Sequence, residues 1–124
     1  MTEQVETEQI ETLMNANLHE VFGQRDPVLR RQAIERTYTE DVEFLDPDEI
    51  VVGYEALDAK AGKLLADAPG FVFSAAGKIY VNHDMGYLAW NLGAEGQPPV
   101  VRGLDACFVR DGRIATVYTI LLSD

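Results

Sequence analysis

The run VVRGLDACFVRDGRIATVYTILL, residues 100–122, decides the architecture of this chain. Apolar and β-branched residues fill both arms on either side of Asp111-Gly112, and Asp-Gly between two such arms is the strongest short-range signal of a β-hairpin. The predicted strands are Pro99–Arg110 and Ile114–Leu122. On the first, Asp105 shares a face with Val101, Gly103, Cys107 and Val109, while Leu104, Ala106 and Phe108 take the other. On the second, Ile114, Tyr118, Ile120 and Leu122 alternate with Ala115, Val117 and Leu121, so both faces are apolar and both need cover. Upstream, Phe71–Asn82 and Gly86–Leu92 read as two more strands, bounded by the turn residues Asn82-His83-Asp84 and Gly93-Ala94-Glu95-Gly96.

Nearer the start the apolar period lengthens. Ile10, Leu13, Met14, Leu18, Val21 and Phe22 recur on one helical face with Asn17 inside the stripe, which predicts an amphipathic helix over roughly residues 5–22, closed by Gly23. Asp26-Pro27 starts a second helix running to about Tyr38, with Asp as cap and Pro at the first helical position. Ala33, Ile34, Thr37 and Tyr38 face inward there, and Arg30, Arg31 and Arg36 mostly outward. From Asp41 the period is two, with Val42, Phe44 and Asp46 on one face and Pro47 ending the ladder. A short strand Ile50–Val52 follows. A third helix opens at Gly53, buries Leu57, Ala61, Leu64, Leu65 and Ala68, and ends at Pro69-Gly70. Helices first and a meander second make the class α+β.

Length and charge bound the rest. The 124 residues amount to one domain, and 47% apolar content is enough for a core. A net charge of −11 argues against nucleic-acid or anionic-membrane partners and favours neutral or cationic ligands. The acids concentrate in residues 1–50, which hold 13 acids and 4 bases. The lone Cys107 cannot form an internal disulfide, and Met1-Thr2-Glu3-Gln4 lacks the features of a signal peptide, so a cytoplasmic location is expected. No apolar run approaches the ~20 residues of a membrane span. His19 and His83 stand far apart without a Cys pair, so no metal is expected, and Lys60-Ala61-Gly62-Lys63 lacks the pattern of a phosphate loop.

Three stretches carry a family resemblance: Tyr38-Thr39-Glu40-Asp41-Val42-Glu43-Phe44-Leu45-Asp46-Pro47, Gly53-Tyr54-Glu55-Ala56-Leu57, and Gly103-Leu104-Asp105-Ala106-Cys107-Phe108 running into Asp111-Gly112-Arg113-Ile114. Over essentially its whole length the chain resembles the SnoaL-like and ketosteroid-isomerase-like group of the nuclear transport factor 2-like superfamily. The resemblance implies a single SnoaL-like domain over residues 1–124. It also implies an α+β cone-shaped barrel in which three N-terminal helices pack on a strongly curved mixed or antiparallel sheet, as in cystatin-like folds. The cone would be the pocket. Asp46 falls where the isomerases keep their proton-transferring base, and Asp105 where they keep a protonated acid that donates to the enolate oxygen. No cofactor is implied. The steroid isomerases also place a Tyr on the first helix, where this chain offers only Asn17 and Leu18.

Both acids draw interest on physical grounds as well. Each shares a strand face with apolar residues, so desolvation is expected to raise both pKa values and to keep Asp105 protonated at neutral pH. The competing reading of Asp46 is a turn former before Pro47. Asn17, Leu18, Tyr38, Phe44, Trp90 and Tyr118 are the candidate ligand contacts, with Asn17 alternatively bonding backbone and Trp90 alternatively packing in a core or interface. Arg102 lies on the strand face opposite Asp105, against an epoxide-hydrolase arrangement. Two functions stay open: an isomerase- or cyclase-type enzyme acting on a small apolar carbonyl compound, with Asp46 as base and Asp105 as donor, or a non-catalytic ligand-binding or dimerisation module. The apolar outer sheet face suggests a homodimer anchored by Trp90 or Phe108.

Overall fold

A computed structural model describes residues 3–122 and gives three helices on one face of a seven-stranded mixed sheet. The first helix, α1 (Glu3–Asn15), does not continue as α-helix to Phe22: residues Ala16–Phe22 form a π-helix. A π-turn bonds i to i+5 and so widens the face a helix can bury. Here it buries Ala16, Asn17, Leu18, Val21 and Phe22 together. Asp26 caps α2 (Pro27–Thr37) as expected, accepting from the amides of Val28 at 2.9 Å and Leu29 at 3.2 Å. Arg30, expected outside, is buried because α3 (Tyr54–Ala66) closes over it. Its guanidinium donates to Asp58 Oδ1 at 2.7 Å and to the Gln24 carbonyl at 2.9 Å, beside Gly62.

The strands are β1 (Tyr38–Leu45), β2 (Ile50–Val52), β3 (Phe71–Ala75), β4 (Tyr80–Asn82), β5 (Met85–Ala94), β6 (Val101–Arg110) and β7 (Arg113–Leu122). Their order is β2-β1-β7-β6-β5-β3, with β4 also on β5; β1 and β7 are parallel and every other pair antiparallel. The expected single strand Phe71–Asn82 is broken: Ala75 pairs with Trp90 and Tyr80 with Tyr87, so four residues oppose two and the edge bends. Such bulges curve a sheet. The sheet remains open, ending at β2 and β3, so the architecture is a curved α+β sheet under helices and not a closed barrel.

One register irregularity sorts the faces of the last hairpin. Phe108 pairs with Thr116 but Val109 with Ile114, which leaves Ala115 as an extra residue in β7. Side chains past the bulge change sides. Ile114, Val117, Thr119 and Leu121 therefore face the helices, and Tyr118, Ile120 and Leu122 face outward at 46%, 52% and 40% exposure. Strict alternation had grouped Tyr118 with Ile114. The turn itself is as expected: Asp111 and Gly112 have φ of 55° and 79°, the left-handed conformation of a tight hairpin.

On the outer face, Ala106 lies between Tyr87 and Tyr118, and Leu104 between Ala89 and Ile120, with Phe108 edge-on to Tyr118 at 6.2 Å. On the inner face, Leu88, Trp90 and Leu92 of β5 and Cys107 of β6 join the helices' apolar stripes in one core. Trp90 pairs directly with Gly103, and a Cβ at residue 103 would stand 2.4 Å from Trp90 Cζ2 and 2.9 Å from the Ile120 carbonyl oxygen. The indole lies where a side chain at 103 would be. Overpacking of this kind costs about 1–3 kcal/mol. Gly103→Ala is expected to lose that much in urea unfolding and to alter Trp90 fluorescence; a variant within about 0.5 kcal/mol of the parent would refute the close approach.

Candidate active site

Between the π-helix, α3 and the inner sheet face lies a pocket of about 220 Å³. Leu18 and Phe22 come from the π-helix, Phe44 from β1, Phe73 from β3, Trp90 and Leu92 from β5, and Thr119 and Leu121 from β7. Asp105 and Asp46 both line it. The buried members are Leu18, Phe22, Phe44, Trp90, Leu92 and Asp105, while Pro47, Asp48 and Leu121 are exposed and form the mouth.

Asp105 is 6% exposed and accepts three hydrogen bonds from three elements. Asn17 Nδ2 donates to Oδ2 at 2.8 Å, and Trp90 Nε1 and Thr119 Oγ1 donate to Oδ1 at 3.1 and 2.7 Å. Behind Asn17, the buried Tyr38 hydroxyl donates to its Oδ1. Burial holds the Tyr38 phenol well above its ordinary pKa, with Cys107 and Asp105 adding to the rise, so Tyr38 stays a donor. Asn17 is thus polarised from one side and donates from the other. Desolvation pushes the Asp105 carboxyl above its ordinary value, and the bonds from Thr119, Trp90 and Asn17 pull against that rise without cancelling it.

Asp46 is the opposite case. Burial alone would raise its pKa, but the Lys60 ammonium at 2.6 Å and the amides of Glu49 and Asp48 bring it below the ordinary carboxylate value. The raised pKa expected from a strand face shared with Val42 and Phe44 is therefore corrected: β1 ends at Leu45, Asp46 stands in the turn whose amides are its donors, and α3 supplies a cation. Lys60 also holds Glu49 at 2.9 Å and stands 5.8 Å from the Phe44 ring. The pair sits at the mouth.

Of the expected ligand contacts, Leu18, Phe44 and Trp90 line the pocket. Asn17 and Tyr38 lie one layer behind, reaching it only through Asp105. Tyr118 is on the outer face, moved there by the bulge at Ala115, and Trp90, offered as an interface anchor, points inward. Arg102 is absent from the pocket wall. Thr119, Phe22, Phe73 and Lys60 also belong to the site, and the sequence pattern does not mark them as such. Thr119 pairs with Asp105 across β6 and β7, a relation that only the register reveals, whereas Phe22 stood in the helical stripe and needed only its neighbour Leu18 to suggest a wall. Among the described residues no cluster of His, Cys, Asp and Glu is arranged to hold a metal, and no helix is long and apolar enough to cross a membrane.

Comparison with known proteins places this geometry. The SnoaL-like domain family matches residues 16–117, a span running from the first residue of the π-helix to mid-β7. No curated protein sequence matches the chain. Among solved structures, a protein from Agrobacterium tumefaciens provisionally named an isomerase of the SnoaL-like family superposes with a TM-score of 0.86 at 22% identity, covering 94% of this chain and 99% of its own. One from Jannaschia provisionally named a SnoaL-like polyketide cyclase gives 0.76 at 17% identity, covering 98% and 90%. One from Kribbella flavida provisionally named a ketosteroid isomerase gives 0.72 at 16%, covering 94% and 80%. At these identities the likeness is one of fold. With the family matched over most of its length, and with the three helices on a curved mixed sheet that its relatives share, this chain belongs to the SnoaL-like family of nuclear transport factor 2-like folds.

Proposed function

We propose that the chain binds a small, largely apolar carbonyl compound in this pocket and that Asp105 exchanges a proton with it, a cofactor-free reaction of isomerase or cyclase type. The SnoaL-like family supports the coarser reading, an isomerase, cyclase or ligand-binding role. One observation carries the finer one: a carboxyl buried on the pocket wall, given three neutral donors and no cation, whose charged form desolvation disfavours. A carboxylate has about four acceptor positions. Three are filled, leaving one on Oδ2 for a proton taken from carbon beside the ligand's carbonyl, with the C–H electron pair forming a C=C bond and the C=O pair moving to the carbonyl oxygen. Returning the proton at another carbon completes an isomerisation. Asp46, the base suggested by resemblance, is the weaker candidate because Lys60 and the turn amides stabilise its charge.

A second reading, ligand binding without turnover, is supported by the donors: Trp90 Nε1 and Thr119 Oγ1, the side-chain N–H and O–H groups on the pocket wall, are both spent on Asp105. No other lining side chain is placed to steady an enolate. We also propose a homodimer through the outer sheet face, where Leu104, Phe108, Tyr118 and Ile120 form a contiguous apolar patch and ~800 Å² per subunit would be a typical burial.

Proton–deuterium exchange of 2-indanone, followed by NMR, separates the readings. Asp105→Asn is expected to slow protein-dependent exchange about 100-fold or more and Asp46→Asn less than about tenfold; equal rates in the parent and Asp105→Asn would overturn the assignment. Stability provides an independent check. Because the folded pKa of Asp105 lies above the unfolded value, its contribution is full below about pH 3.9 and is lost as pH rises through the folded pKa. Relative to Asp105→Asn, the parent should lose stability over that interval, and a flat or rising difference would exclude a raised pKa. Light scattering should give twice 13.8 kDa for the parent and a monomer for Leu104→Glu; a 13.8 kDa parent would end the dimer proposal.

A further inference from the structure

We infer that the ligand is a compact, flat molecule of one or two rings, and that four-ring steroids and polyketides are too large for this site. The inference rests on the pocket being the ligand site and concerns which ligands enter it. Volume is the first ground. A dry cavity of about 150 Å³ accommodates benzene, and pockets for drug-sized ligands begin near 300 Å³. The 220 Å³ available lies between the two, room for about nine or ten non-hydrogen atoms on that scale.

The walls set the shape. In the sheet order, β7 and β6 bring Thr119 and Asp105 to the centre, with β1 on one side and β5 and β3 on the other. Phe44 of β1 stacks on Phe22 with ring centroids 5.1 Å apart, and Trp90 of β5 meets Phe73 of β3 edge-on at 5.2 Å. Two aromatic pairs therefore flank a carboxyl floor. A planar ring lying between them buries both faces while the carbon beside its carbonyl reaches Asp105.

Enlargement is blocked where it would be needed. The Trp90 ring is fixed by its bond to Asp105 and by its seat over Gly103, and Phe22 is held by the π-helix. Rings beyond the second would protrude at the mouth, beside exposed Asp48 and the Asp46–Lys60 pair, where apolar surface stays in water or desolvates charge. Leu121, 51% exposed, is the apolar patch left there to guide entry.

Trp90 is the sole tryptophan of the chain and forms part of the wall, so its fluorescence reports occupancy directly. Titration of the full chain with acetophenone, 2-indanone and androst-4-ene-3,17-dione is expected to give saturable changes for the first two and at least tenfold weaker binding of the steroid. Val101→Phe, which adds bulk to a half-buried wall position, should weaken 2-indanone more than acetophenone. Steroid binding as tight as that of 2-indanone would overturn the size limit while leaving the proton-transfer proposal intact. Saturable binding of the small ketones without exchange would leave the size limit standing and remove the enzymatic reading. Failure of all three ligands to bind would end both.

Discussion

A carboxylate that has lost its water must find its hydrogen bonds within the protein, and Asp105 imposes that requirement on the whole molecule. Leaving it unsatisfied would cost several kcal/mol, more than most single contacts return. The fold meets the demand from three directions: Asn17 from the helical layer, Trp90 from β5 and Thr119 from β7. These donors lie far apart in sequence, so satisfying all three ties the docking of the helical layer to the pairing of β5, β6 and β7. A buried polar network that is fully satisfied rigidifies the core around it.

Several local irregularities make sense in that light. The π-helix turns Asn17 and Leu18 inward together, giving one residue to the network and the next to the pocket wall. Gly103 lets the Trp90 indole approach β6 closely and reach the Asp105 carboxyl on that neighbouring strand. The extra residue at Ala115 places Thr119 on the inner face and sends Tyr118 outside. The π-helix and the bulge depart from regular backbone geometry, Gly103 only in lacking a side chain, and each supplies or seats a partner of Asp105. Irregular backbone at such points is what sites commonly require.

Asp46 and Asp105 illustrate how surroundings divide two chemically identical groups. Both line one pocket, Asp105 from mid-β6 among apolar neighbours and Asp46 from the turn just past β1. Neutral donors leave Asp105 with a net rise in pKa, whereas a lysine and two turn amides leave Asp46 with a net fall. The pocket consequently has one carboxyl whose charge its surroundings disfavour and one whose charge they favour. The apolar outer face is a separate consequence of the same alternation: a strand pattern that buries Val117 and Thr119 inward leaves Tyr118 and Ile120 to cover from elsewhere.

Much of this was legible in residue order. The helix cap at Asp26, the Asp111-Gly112 turn, the α+β class and the interest of Asp105 all follow from patterns within a few residues, because capping, turn conformation and strand alternation are local physics. The direction of the Asp105 shift also follows, since a mid-strand acid among apolar neighbours has little access to water whatever the packing. The direction at Asp46 does not, because Lys60 lies fourteen residues later within α3, and only the docking of that helix supplies the cation. Arg30 went inside for the same reason: Asp58 lies across a helix pair and not along its own helix. Tyr118 lies outside because one inserted residue inverts every face after it, and nothing in the alternation of Ile114 to Leu122 marks where the insertion falls. The residues themselves determined which elements form and which acid is costly to bury; the tertiary structure decided which side chains meet, because register and docking are set by partners distant in the chain.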